Sequence, residues 1–233
     1  MKKLDVFIQG ETMDLCIPTE EFARESRWYS WFNSKYITKY LEQGLFPNTA
    51  EAQVDFFHSI ERERLVLIIS DKKEYVGVIS LSFINLEKKI SDIAIVHDSM
   101  MNVQMSPFVS LEAMARLTEF GFKNIGLNRI QAGQHVDLGG WRSWQQRLEL
   151  LGYKLEGIHK NKFVKGHEIS DSFSIACLYE DFLKIENHRG NLWDSMENMK
   201  QRFMKLPQQY FAAIMKDFID DKKEDYYKKI FLL

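Results

Sequence analysis

The chain has 233 residues, 45% hydrophobic and 27% charged, enough apolar material for one medium domain with or without an extension. Its formal net charge is -2 and its 31 Lys and Arg residues are scattered, which argues against a nucleic-acid partner. No run approaches the ~20 apolar residues of a membrane span and no apolar segment follows Met1-Lys2-Lys3, so no membrane span is expected and the expected location is the cytoplasm.

In chain order, Asp14 to Ile17 reads as a short strand, and Pro18-Thr19 followed by Glu20 as a helix start. Phe22, Trp28, Trp31 and Phe32 give the helical stretch after Thr19 an apolar face. Asn48 or Thr49 can cap a second helix, in which Val54, Phe57 and Ile60 recur at helical spacing. The chain then turns β-branched, and polar breaks at Asp71 to Glu74 and Asn85 to Lys89 divide it into three strands of an antiparallel meander ending near His97. A helix with the stripe Leu111, Met114, Ala115, Leu117 and Phe122 comes next, running to Gly121 or slightly beyond. "NRIQAGQHV" is a strand. "GGWRSWQQRLELLGY" is a helix entered at Gly139-Gly140 and left at Gly152, and a strand pair turning at Lys165-Gly166 comes after it. Beyond Asp181 helix formers and charges dominate, with a break at Leu206-Pro207, which reads as a helical appendix. The expected class is α/β (α+β): a mixed, mostly antiparallel twisted sheet flanked by helices over residues 1–182, and a helical extension over 183–233.

The junction "NVQMSPFVSLEA", Asn102 to Ala113, joins a strand to a helix, where an α/β protein would hold a phosphate. Ser106 can cap and Pro107 suits the first helical position, which leaves the N–H groups of Phe108 to Ser110 for an anion. Pro107 itself has no donor, and Phe108 brings bulk. Cys16 and Cys177 are too few for a disulfide framework, and the histidines at 58, 97, 135, 159, 167 and 188 show no HxH or HxxxH spacing, so no metal site is expected.

The order of elements, with "EAMARLTEFGFKNIGLNRIQA" (Glu112 to Ala132) and "LELLGYKLEGIHKNKFVKGHEISDSF" (Leu148 to Phe173), resembles the GNAT superfamily of acyl-CoA-dependent N-acyltransferases. Within it the chain looks like the RimJ/RimL branch, whose W-x-N element is matched by Trp31-Phe32-Asn33. The resemblance covers roughly residues 8 to 182. It implies acetyl-CoA as cosubstrate, held at Ile95 and Val96 and at the loop into the central helix, where the family has an R/Q-x-x-G-x-G/A motif. That motif falls on Met105 to Ser110. Ser110 is small enough for the last position, Gln104 must slide by one place to serve as the amide, and Phe108 replaces the first Gly. Gln104, Ser106, Phe108, Val109 and Ser110 are thus candidate lining of a degenerate cradle, with Phe108 either beside the cofactor or simply a core residue. Trp141 stands where the family's pantetheine-binding Asn is common, and Leu148 where many members have a Tyr general acid. Trp141 and Trp144 either line the groove or pack beneath the sheet.

An alkyl amine with a pKa near ~10 must lose a proton before it attacks a thioester. The resemblance puts the base at Asp92, with His97 as a second candidate; both also read as ordinary structural charges. It also assigns polarisation of the carbonyl to a backbone N–H near Val96. Trp28, Trp31 and Asn33 are candidate acceptor contacts, although the same aromatics suit a core. The spacing "WFN" to "GLFPNT" is similar to transferases that acylate amino sugars, often nucleotide-linked; a protein N-terminal amine is the competing acceptor. The expectation is transfer of an acetyl group to a small primary amine. The alternative is a GNAT fold that has lost its cradle and serves as a binding module, with the appendix forming a homodimer.

Overall fold

The computed structural model describes residues 2–39, 41, 43–60, 64–98, 107–136, 140–207 and 209–222. Eight strands form one sheet in the order β1-β2-β3-β4-β5-β6-β8-β7. They are β1 (Val6–Gln9), β2 (Asp14–Cys16), β3 (Leu65–Ser70), β4 (Tyr75–Asn85), β5 (Ile90–His97), β6 (Arg129–His135), β7 (Lys154–Lys165) and β8 (Glu168–Leu178). Neighbours are antiparallel except β5 and β6, which run parallel. The expected meander is β3 to β5, and the expected turn at Lys165-Gly166 joins β7 to β8.

Helices α1 (Glu20–Glu25), α2 (Trp28–Trp31), α3 (Lys35–Thr38) and α4 (Ala50–His58) cover one face of the sheet. The other face carries α5 (Pro107–Phe120) and α6 (Gly140–Ser143), then the C-terminal α7 (Tyr179–Arg189), α8 (Met196–Lys205) and α9 (Phe211–Lys222). With both faces covered, β3 alternates between two cores: Val66 and Ile68 pack with α1 to α4, and Leu67 and Ile69 with α5. That explains an apolar run with no polar alternation.

Caps and terminators obey local chemistry. Thr19 accepts from the Phe22 N–H and Thr49 from the Ala52 N–H, so of the two cap candidates Thr49 serves α4. Helix α5 continues as a π turn, Gly121–Ile125, and stops at Gly126 in the left-handed region. The stretch after Thr19 differs from expectation, for it is three short helices. Ser26 leaves helical geometry and its Oγ accepts from the Trp28 N–H, while Ser34 caps α3. These side chains compete with the helical ladder and break it. The edge strand β1 escapes the sequence pattern, because its Val6 and Phe7 are exposed and lack the alternation of a half-buried strand.

Glu112, in the middle of α5, is 0% exposed. Its carboxylate accepts from Glu11 N (2.7 Å), Thr12 N (2.6 Å), Thr12 Oγ1 (2.7 Å) and the Arg116 guanidinium (3.2 Å). It thereby pins the β1–β2 turn onto the central helix. Glu11 of that turn in turn accepts from Trp193 Nε1 and Met196 N, both at 2.8 Å, at the start of α8. Leu192, Trp193 and Met199 are buried in the same core as α5, Leu192 N donates to Glu119, and Arg189 donates to Leu150 O (2.7 Å). The first part of the appendix is therefore built into the domain core. Arg202 forks onto Asp194 at 2.8 and 2.6 Å and holds that carboxyl well below the usual carboxylate range.

Glu112→Ala removes the buried carboxylate that holds the β1–β2 turn donors and is expected to cost about 3 kcal/mol, seen as a lower urea midpoint at unchanged slope. The depressed pKa of Asp194 means its pair with Arg202 contributes fully above the ordinary carboxylate pKa of about 4 and is lost as pH falls below it. Asp194→Asn should therefore flatten the acid side of a melting-temperature profile and leave its alkaline side in shape.

Candidate functional site

The two parallel strands do not stay together. Among the described residues, β5 pairs with β6 only at Ile90 with Arg129, Ser91 with Ile130 and Asp92 with Gln131. Beyond Asp92, β5 keeps to β4 as far as the His97–Gly77 pair, and β6 keeps to β8 as far as the His135–Ser172 pair. Close packing on each side draws them apart. A Cβ at Gly77 would lie 2.4 Å from Val96 O, so only glycine lets β4 hug the end of β5. A Cβ at Gly140 would lie 2.3 Å from His135 O, so α6 starts directly on the end of β6. The result is a wedge whose β5 side presents backbone from Ile93 to His97 without a strand partner on β6. Helix α5 opens at Pro107 on one face of that wedge and brings the positive end of its dipole there.

Asp92 sits where the strands part, its Oδ1 accepting from Gln131 Nε2 at 2.7 Å beside Arg129, which is paired with Glu156. Successive residues beyond it face opposite sides: Ile95 packs toward the α5 core and Val96 toward that of α1 to α4. His97 is half-buried opposite Gly77. Gln104 and Ser106 lie outside the described residues. Phe108 is 8% exposed, its ring 5.7 Å from that of Phe203 on α8. Val109 is buried beside it, and the Ser110 hydroxyl is turned back onto Pro107 O. Trp141 packs its indole on Phe211 of α9 (6.3 Å), with Arg142 over the ring. Trp144 is buried under the sheet on Phe173 and donates to Tyr153 O (3.0 Å), and Leu148 is buried in the same cluster.

On the opposite face, a cavity of about 260 Å³ is lined by Arg27, Ser30, Trp31, Asn33, Ser34, Ile37 and Asp98. Its floor is Asp98, the residue directly after β5, which is 2% exposed. Oδ2 of Asp98 accepts from Trp31 Nε1 (2.9 Å) and stands 3.3 Å from the Arg27 guanidinium. Sequence reasoning missed Asp98. Its one signal was a carboxylate ending an apolar strand. Trp31 lines the cavity and orients Asp98, whereas Trp28 is fully buried between Phe22 and Phe56. Asn33 spends both amide atoms on the Asn48 backbone, so it holds the wall in place. Lys165, at the tip of the β7–β8 hairpin, donates to the carbonyls of Thr38, Leu41 and Gln43 and ties that hairpin to the loop after α3. Burial keeps its pKa below the usual lysine value. Among the described residues no group of three or more His, Cys, Asp or Glu is placed to hold a metal ion, and no helix is long and apolar enough to cross a membrane.

No protein-family model and no curated protein matches the chain. Solved structures do. Spermidine N-acetyltransferase from Vibrio cholerae, in complex with CoA and spermine, superposes with a TM-score of 0.64 at 15% identity, over 74% of this chain and 98% of that one. This chain has the GNAT fold. The ribosomal L7/L12 α-N-protein acetyltransferase RimL in complex with CoA matches this GNAT fold with a TM-score of 0.63 at 16% identity, over 75% and 98% of the two chains. The microcin C7 self-immunity acetyltransferase MccE, in complex with acetyl-CoA and AMP, matches with 0.60 at 20% identity, over 72% and 93%. These GNAT structures are covered almost end to end, while roughly a quarter of this chain lies outside each match.

Proposed function

We propose that the chain is an acyl-CoA-dependent N-acyltransferase of RimJ/RimL-like type, working in the cytoplasm on a small primary amine such as an amino sugar or sugar nucleotide. The observation that carries this reading is the wedge between β5 and β6, with a helix N-terminus on one face of its opening and the Asp98 cavity on the other. A CoA thioester would supply the activated acyl group. The strand edge from Ile93 to His97 fits its amide-bearing arm, with the backbone near Val96 facing the carbonyl, and the positive end of the α5 dipole suits its phosphates. Less suited are Phe108 and Trp141, which Phe203 and Phe211 cover.

The acceptor enters the cavity under Trp31, where Arg27 and the hydroxyls of Ser30 and Ser34 suit a hydroxylated or phosphorylated amine. Asp98 takes a proton from the ammonium, the freed amine attacks the thioester carbonyl, the C–S bond breaks, and the CoA thiolate leaves with the second proton that the nitrogen sheds. Asp92, about 20 Å back along the strand, is too far to touch an amine in that cavity and serves as a positioning residue at the wedge's apex.

A second reading has its own observation. Phe108 and Trp141, both at cofactor positions by resemblance, are covered by the appendix, which favours a non-catalytic module that dimerises through its C-terminal region. Thiol release from acetyl-CoA in an amino-sugar and peptide-amine screen tests the choice. Transfer to an amino sugar, cut ~100-fold or more by Asp98→Asn with acetyl-CoA affinity kept, is the expected result. If Asp92→Asn has that effect and Asp98→Asn does not, the roles are exchanged. Absence of acetyl-CoA binding at millimolar ligand, in wild type and in Phe211→Ala, selects the non-catalytic module.

A further inference from the structure

The appendix is attached in two different ways. The segment from Arg189 to α8 is held by buried side chains and by hydrogen bonds to Glu11, Glu119 and Leu150. Helix α9, by contrast, lays apolar side chains on the sheet and on α6. Phe211, Ile214, Met215 and Phe218 recur at helical spacing and pack on the α5 core, and of these only Ile214, at 8% exposure, is buried. Phe211 lies between Trp141 of α6 (6.3 Å) and Phe173 of β8 (5.7 Å). One helix earlier, Phe203 covers Phe108. The two rings therefore cover one residue near the start of α5 and one near the start of α6. The connection between α8 and α9 passes through Leu206, which is extended, and Pro207, which has no N–H to continue a helical ladder.

We infer that α9 is a displaceable lid over Trp141 at the start of α6, hinged at Leu206-Pro207, and that an acyl-CoA binds only to the population in which α9 has lifted. The inference rests on the acyl-CoA reading above. It reconciles a GNAT wedge with a Trp141 that the chain itself covers: the apparent affinity is the intrinsic affinity reduced by the fraction of open molecules. Phe211 is the ring that bridges α6 and β8, so its removal weakens the closed state and leaves α5, the wedge and the Asp98 cavity intact.

The test uses full-length wild type and Phe211→Ala, with CoA as the probe in calorimetric titration. Hydrogen exchange of residues 196–205 and 211–222 is measured with and without CoA. Expected are CoA binding at least ~10-fold tighter in Phe211→Ala, and faster exchange on CoA addition across 211–222 but not across 196–205. Equal affinity in both proteins, with exchange of 211–222 unchanged by CoA in wild type, overturns the lid and leaves the acyltransferase reading standing. Weaker binding in Phe211→Ala makes α9 a fixed wall of the site and also overturns it. Failure of both proteins to bind CoA overturns the acyl-CoA reading itself, and the lid with it. The wild-type exchange experiment keeps the inference decidable even if Phe211→Ala does not fold.

Discussion

Glu112 is a carboxylate without exposed surface in the middle of the central helix, and the arrangement of both ends of the chain depends on how its charge is satisfied. A buried anion is tolerable only if donors surround it. Two backbone N–H groups and a hydroxyl come from the β1–β2 turn, and Arg116 adds its guanidinium from one helical turn away. Meeting that demand fixes the turn on α5. Glu11 of the turn then faces outward to Trp193 and the first N–H of α8, 182 residues from Trp193 in sequence. The seat of the appendix is thus set by a side chain of the central helix, through a turn that belongs to neither.

The parting of β5 from β6 is the second constraint, and it gives the fold two chemically different approaches to one opening. On the α5 face are a helix N-terminus and the apolar side chains of α8 and α9. On the other are a buried carboxylate, a guanidinium and small hydroxyls. Two ligands of unlike chemistry can approach such an opening from opposite faces and meet at the edge of β5. The Lys165 contacts tie the far hairpin to the α3 loop on the Asp98 side, whereas on the α5 face α9 lays Phe211, Ile214, Met215 and Phe218 on the domain core.

Much of the fold was legible in local patterns. Thr19 and Thr49 announced helix starts, Gly126 and Gly152 sit in the left-handed region just past helix ends, and the β-branched runs between polar breaks became β3 to β5. Misreadings arose where local signals were weak or divided: β1 has an exposed edge pattern, and Ser26 and Ser34 cut a periodic aromatic run into three helices. The candidate site was legible only in part. Trp31 lines the Asp98 cavity, but Asn33 staples its wall, Trp28 is a core residue, and Asp98 went unnoticed.

What the sequence by itself determined is whatever depends on neighbours in the chain: periodicity, caps, terminators and the order of elements. These are short-range matters of dihedral preference and local hydrogen bonding, so a few adjacent residues suffice. Only the tertiary structure decided that β5 leaves β6 at Asp92, that Asp98 floors a cavity beside Arg27, and that Phe203 and Phe211 cover Phe108 and Trp141. Each depends on which distant surfaces bury one another, and hydrophobic burial is non-directional: the residue type shows that a ring will be covered, not what will cover it.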